Sequence, residues 1–278
     1  MLWNKNKAFC NMNPVFYAIS EQKEIFKRHI RNMTDHTTFA ACRTRNVLPN
    51  LVSSHSSNLI KRGKGIDIRL QENKAVNIDL AARQMDHLVI RPGEEFSFWK
   101  MVGKLSKRKG YGDGRVIVNN RLQPGMGGGL CNLANTLHLL VLHSPLQVTE
   151  FHSHSDALAP DEGKRVPFSS GTSVYYNYID YRFKNNTDQN VQLLVWCQDE
   201  KLHAQLRSER EFPWRYELVE EGHHFHKEGE KYYRISKIYK DTIDKATGKR
   251  LERQLVRDNH SEVMFDYSQI PQELIREY

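Results

Sequence analysis

Leu130, Leu133, Ala134, Leu137, Leu140 and Val141 fall at i, i+3, i+4, i+7, i+10 and i+11, one apolar face of a 3.6-residue period. The spacing predicts a helix that stops at Ser144-Pro145, because proline disfavours helical backbone at the residue before it. Pro14 to about Arg31 and Glu72 to His87 also read as helices, the second with Val76, Leu80, Ala81 and Met85 inward. The intervening stretch through Asn50–Ser57 is polar and reads as irregular. Leu88-Val89-Ile90 is a short apolar strand stopped by Arg91-Pro92-Gly93, and Arg115–Val118 a second strand after the turn Tyr111-Gly112-Asp113-Gly114.

Beyond the central helix the pattern changes to strands. Gln147–His154, Val174–Lys184, Val191–Gln198 and Leu202–Arg207 carry strand patterns, with Asn185-Asn186-Thr187-Asp188 as hairpin punctuation between the second and third. Tyr232–Lys240 and Arg250–Val256 flank a further turn around Asp244–Gly248. N-terminal helices, a central helix that starts at a glycine-rich loop, and then a mainly antiparallel sheet predict an α+β fold. The expected division is an N-terminal helical and irregular extension over 1–70, a core domain over 71–210, and a C-terminal β-hairpin extension over 211–278 packed on the core.

The charge narrows the partners. A net charge of +8 favours anionic ones: lipid head groups, wall polymers or nucleic acid. A basic surface kept for solubility is the plainer account. Lys61-Arg62-Gly63-Lys64 and Lys104–Lys109 match no nucleic-acid motif, so no nucleic-acid partner is expected. The four cysteines, at 10, 42, 131 and 197, form no CxxC pair, which points to a reducing compartment rather than a disulfide framework. Residues 1–10 lack the apolar core of a secretion signal, and no apolar run reaches membrane-spanning length. A cytoplasmic setting is expected. Phe16, Tyr17, Ile25, Phe26 and Ile30 form a basic amphipathic helix that suits either the inner membrane surface or the core.

The candidate chemistry lies in Pro124-Gly125-Met126-Gly127-Gly128-Gly129-Leu130-Cys131-Asn132. Glycines adopt positive φ freely, and a helix N-terminus offers free N–H groups and a positive dipole end. Both lower a thiol's pKa, so Cys131 is the candidate nucleophile. Gly127, Gly128, Gly129 and Asn132 are candidate binding residues. The plainer account is a tight turn followed by an inert, packed cysteine. His138 shares the stripe of Cys131 and Asn135 but lies roughly 10 Å further along the helix.

A thiol nucleophile needs a histidine base and a group to orient it. In Phe151-His152-Ser153-His154-Ser155-Asp156 the two histidines share one strand face. Asp180, within an apolar strand, needs a partner. The candidate set is Cys131 as nucleophile, His154 as base and Asp180 as orienter, with His152 as a binding residue. Arg182 or Lys184 is the alternative partner for Asp180. The order thiol, histidine, aspartate is similar to that of transglutaminase-like and papain-related hydrolases. A zinc site from His152 and His154 with Cys131 or Asp156 lacks a compelling further ligand, so no metal or cofactor is expected.

At these residues the chain resembles the VanW family over nearly its whole length. The resemblance is carried by Arg91-Pro92-Gly93-Glu94-Glu95-Phe96-Ser97-Phe98, Gly127–Asn132, His154-Ser155 and Asp180–Thr187. Many relatives carry glutamine in place of Asn132, and an aspartate where this chain has Ser169-Ser170-Gly171-Thr172. The resemblance implies a link to vancomycin resistance and the cell envelope, and no settled reaction. Two functions are compatible with it. One is a Cys131-dependent amide hydrolase or acyl transferase on peptidoglycan peptides, with the glycine-loop N–H groups steadying the oxyanion. The other is a non-catalytic protein that binds a wall precursor or another resistance component through aromatics such as Trp99, Tyr111 and Tyr178.

Overall fold

The computed structural model describes residues 14–63, 66–118, 121–152, 156–157 and 171–276. Numbered in chain order, the helices are α1 (Pro14–Thr34), α2 (Ile68–Arg83), α3 (Phe98–Val102) and α4 (Leu130–Leu142). The strands are β1 (Cys42–Arg43), β2 (Asn50–Asn58), β3 (Leu88–Ile90), β4 (Glu95–Ser97), β5 (Asp113–Val118), β6 (Arg121–Met126), β7 (Gln147–Glu150) and β8 (Asp156–Ala157). They continue with β9 (Arg182–Lys184), β10 (Val191–Gln198), β11 (Lys201–Ser208), β12 (Trp214–Glu228), β13 (Lys231–Asp244), β14 (Arg250–Val263) and β15 (Ile275–Arg276). The fold is α+β, and its sheets are mostly antiparallel.

One sheet, ordered β1-β3-β10-β11-β2, carries α2 and α4 against it. Its centre is β10, whose first five residues are all buried, while β11 alternates as a strand with one face in the core does. The core beneath joins Ile78, Ala81 and Met85 of the α2 region to Leu133, Leu137 and Leu140 of α4. A small sheet, β4-β9-β7, lies beside it, and the hairpin β5-β6 leads into α4. A second five-stranded sheet, β15-β12-β13-β14-β8, has its own apolar centre at Phe225, Val263 and Ile270. Ile238 of that sheet packs on Leu142 at the end of α4, and Lys240 donates to the Ser144 carbonyl at 2.6 Å.

Five sequence expectations change here. The strand expected over Gln147–His154 stops at Glu150, with Phe151 and His152 outside it. Asn50–Asn58 is a strand, not irregular: as a sheet edge paired only with β11, it needs no continuous apolar run. In α2, Val76 is half exposed, and the inner face instead carries Gln71, Lys74, Asn77, Ile78 and Ala81. Those polar groups face inward because loops lie there: Asn77 bonds Gly112 and Gly128, and Gln71 accepts from the Lys61 N–H. Val174–Lys184 is not one strand. Tyr175 and Ile179 close a tight turn through Asn177 at φ 58°, and only Arg182–Lys184 extends into a sheet. Asn185–Asp188 makes no hairpin, since β9 and β10 lie in different sheets. Buried Asn185 holds that crossing by donating to the carbonyls of Ile90 and Gln189. The long strand β12 has no counterpart in the sequence reading.

The glycine run is set by packing. Gly127 and Gly129 have φ of 73° and 105°. A Cβ on Gly128 would sit 2.2 Å from the Gly114 carbonyl carbon, so β5 and the loop touch backbone to backbone.

Candidate functional site

Cys131 sits in the first turn of α4, where its Sγ faces the Val174 carbonyl at 3.9 Å. Burial pushes the thiol pKa up, and the lowering effect of nearby backbone hydrogen bonds does not reverse it. Among the described residues no cation contributes to that balance. Two of the loop N–H groups are engaged: Gly127 donates to Gly112 and Gly128 to Gly125. Asn132 points the other way, accepting from Ser57 at 2.8 Å and donating to the Asn58 carbonyl. One turn along α4, Asn135 accepts from the Thr172 N–H.

The segment 171–174 therefore lies along α4, and it also meets His152. The Ser173 N–H donates to the His152 carbonyl at 2.7 Å, and the Thr172 hydroxyl lies 3.4 Å from the same oxygen. Cys131 and His152 thus flank one strip of chain. His154 lies outside the described residues, as does the side chain of Asp156. Among the described residues no group of His, Cys, Asp and Glu could hold a metal ion.

His152 lies two residues past β7 and takes its carboxylate from the last residue of that strand. Its Nε2 lies 2.9 Å from Glu150 Oε1, two residues back. Glu150 is also gripped by Arg28 of α1, with contacts of 2.5 and 2.6 Å, and accepts from the Asp180 N–H at 3.2 Å. Burial raises the Glu150 pKa, but Arg28 and His152 more than offset it, and the net shift is downward.

Asp180 is fully buried. Its Oδ1 accepts from the N–H groups of Trp99 (3.1 Å) and Tyr181 (2.9 Å). Its Oδ2 accepts from Ser97 Oγ (2.6 Å) and Arg182 Nε (2.8 Å). A carboxylate has about four lone-pair positions, and all are occupied by donors other than histidine. Arg182 in turn reaches Asn32 of α1 at 2.7 Å and Glu95 at 3.6 Å. Arg28, Glu95, Glu150, Asp180 and Arg182 form one buried ionic cluster under α1, with His152 at its rim. Glu150 was readable from its spacing to His152. Arg28, more than a hundred positions away, left no local signal.

Trp99 and Tyr111 belong to the core. Phe212, Trp214 and Tyr216 line a cavity of about 390 Å³ with His55 and His143.

Residues 73–207 match the family model described as VanW like protein, so the chain carries a VanW-like domain. It is similar to the vancomycin B-type resistance protein VanW of Enterococcus faecalis, 28% identical over 218 residues that cover 78% of this chain and 79% of that protein. It is also similar to the uncharacterized protein YoaR of Bacillus subtilis, 32% identical over 120 residues, 43% of this chain and 38% of that one. No solved structure matches it.

Proposed function

We propose that this chain is an accessory protein of glycopeptide resistance that binds a peptidoglycan peptide or precursor at the inner membrane surface. The observation that carries the binding role is the state of Cys131: a desolvated thiol facing a carbonyl, with no cation among the described residues to favour the thiolate. The link to resistance rests on the similarity to the Enterococcus protein. Full-length protein incubated with synthetic precursor peptides should return them with unchanged mass, and Cys131→Ala should retain them equally. A product of altered mass, formed by wild type and not by Cys131→Ala, would overturn the binding role.

That product would favour the second reading, thiol chemistry. Its support is the strip 171–174 shared by Cys131 and His152, with His152 already oriented by Glu150. In that reading Cys131 attacks the carbonyl carbon, and His154 carries the thiol proton to the leaving amine. Asp180 fixes the surrounding backbone.

Support for the membrane surface comes from α1. Val15, Ile19, Phe26, Ile30 and Met33 are exposed along one stripe, opposite the buried Arg28. Lys23, Lys27 and Arg31 flank that stripe, the arrangement of a helix lying in a lipid interface. Among the described residues no helix is long and apolar enough to cross a membrane. The protein should co-sediment with vesicles containing anionic lipid, and Phe26→Glu with Ile30→Glu should abolish this. Sedimentation of the double variant at wild-type levels would remove the membrane surface from the proposal.

A further inference from the structure

We propose that the cavity between β2, the end of α4 and the start of β12 is a binding site for a neutral saccharide ring. This goes beyond the reading above: it requires neither a peptide nor a reactive thiol, and it lies at the opposite end of α4 from Cys131.

The first observation is the shape and lining of the cavity. It brings together His55 of β2, His143 at the C-cap of α4, Phe212 from the β11–β12 connection, and Trp214 and Tyr216 of β12. The strands β2 and β12 belong to different sheets. Its volume of about 390 Å³ falls in the range of small-molecule sites, roughly 300–1,000 Å³, and such sites favour seams of this kind. Trp214 and Tyr216, two positions apart, share one face of β12. Lys240 fixes the Tyr216 ring: its Nζ lies 4.3 Å from the ring centroid and is anchored on the Ser144 carbonyl. A ligand therefore meets flat aromatic surface that is already in place.

The second observation is the polar complement. His143 Nδ1 lies 2.9 Å from the Leu139 carbonyl. A carbonyl only accepts, so Nδ1 carries the proton and the neutral ring keeps Nε2 as an acceptor. His55 is half-buried and makes no hydrogen bond or ion pair among the described residues. Burial first, and then His143, holds the His55 pKa below the ordinary histidine value, so the neutral ring offers one donor and one acceptor. The charged side chains of the lining are already matched: Lys245 bonds Glu211 at 2.6 Å, and Arg215 is paired with Glu217. An ionic ligand finds no unpaired charge there among the described residues, and a wholly apolar one would strand the histidine nitrogens. A saccharide ring satisfies both walls. Its C–H face packs on the electron-rich faces of aromatic rings, and its hydroxyls each donate and accept at the edge.

The test uses the full chain labelled with ¹⁵N and reads the indole N–H signal of Trp214, assigned by its loss in Trp214→Phe. Glucose and N-acetylglucosamine are titrated separately, with glucuronate and cyclohexanol as comparators. A saturable shift is expected with at least one of the two neutral sugars. Glucuronate should bind about tenfold more weakly, because its carboxylate finds no unpaired cation. Cyclohexanol, with a single hydroxyl, should also bind more weakly. Tyr216→Leu should weaken sugar binding about tenfold, the scale of one lost aromatic face. His55→Ala should weaken it about fivefold, the scale of one neutral hydrogen bond. His55 occupies a half-exposed position on β2, and its variant decides the matter if Tyr216→Leu does not fold. No saturable shift with either neutral sugar, equal or tighter binding of glucuronate or cyclohexanol, or wild-type affinity in the folded variants overturns the site.

Discussion

Asp180→Ala should lower the unfolding free energy by about 3–5 kcal/mol, the usual cost of removing one partner from a buried ion pair. The loss is not confined to Arg182. Asp180 also holds the Trp99 N–H and the Ser97 hydroxyl, and Ser97 in turn caps α3 by accepting from the Lys100 N–H at 3.2 Å. Its removal unties β4, α3 and β9 together. Asp180→Asn retains one good acceptor and should cost less, about 2–3 kcal/mol, in line with charged hydrogen bonds. Urea titrations would measure both. A midpoint unchanged in Asp180→Ala would mean that the carboxylate is not the hub its four donors indicate. If Asp180 served only to orient a catalytic histidine, both variants would keep full stability and lose turnover.

Much of the fold was legible because single elements carry their own period. The six apolar positions of α4 predict its face, and Leu133, Leu137 and Leu140 are indeed buried. The β-branched and aromatic character of β10 and the alternation of β11 were equally direct. The failures have a common physical cause: polar residues satisfied by tertiary contacts invisible in local sequence. In α2 the inner face carries Asn77 among its apolar residues because part of that face meets loop backbone, where Asn77 donates to the Gly112 and Gly128 carbonyls. In β2 the serines are tolerated because the strand is a sheet edge, and Ser53 and Ser57 find partners on α4 at Leu140 and Asn132. Asp180 was readable as needing a partner, and Arg182 two residues away is one. The rest of its environment was not readable: Ser97 and Trp99 are about eighty positions distant.

Acid should destabilise the protein through His138, well above the range where carboxylates titrate. The ring is buried in α4, stacked on Phe151 at 4.6 Å, with Nδ1 3.2 Å from the Tyr181 hydroxyl. Burial, and then the charges of Arg257 and Lys240, depress its pKa to about 3. The ordinary histidine value is about 6.5. Between the two, the unfolded chain takes up a proton that the native chain refuses. Stability is therefore fully present above pH 6.5 and falls as pH drops below it, by about 1.4 kcal/mol per unit. From pH 8 to pH 5 the loss is about 2 kcal/mol. His55, also depressed by burial and by His143, adds to it in the same direction. Glu150, whose pKa is lowered, contributes only further into acid. His138→Gln keeps a polar neighbour for Tyr181 and cannot take up a proton. Its unfolding free energy should vary less over this interval, with the smaller His55 contribution left and, close to pH 8, those of Lys74 and Lys240, which burial depresses to about 8. Urea denaturation at pH 8, 7, 6 and 5 compares the two slopes. Parallel curves for wild type and variant would mean that His138 is protonated as easily in the native state as in the unfolded chain, and that its packing between Phe151 and Tyr181 does not exclude the charge.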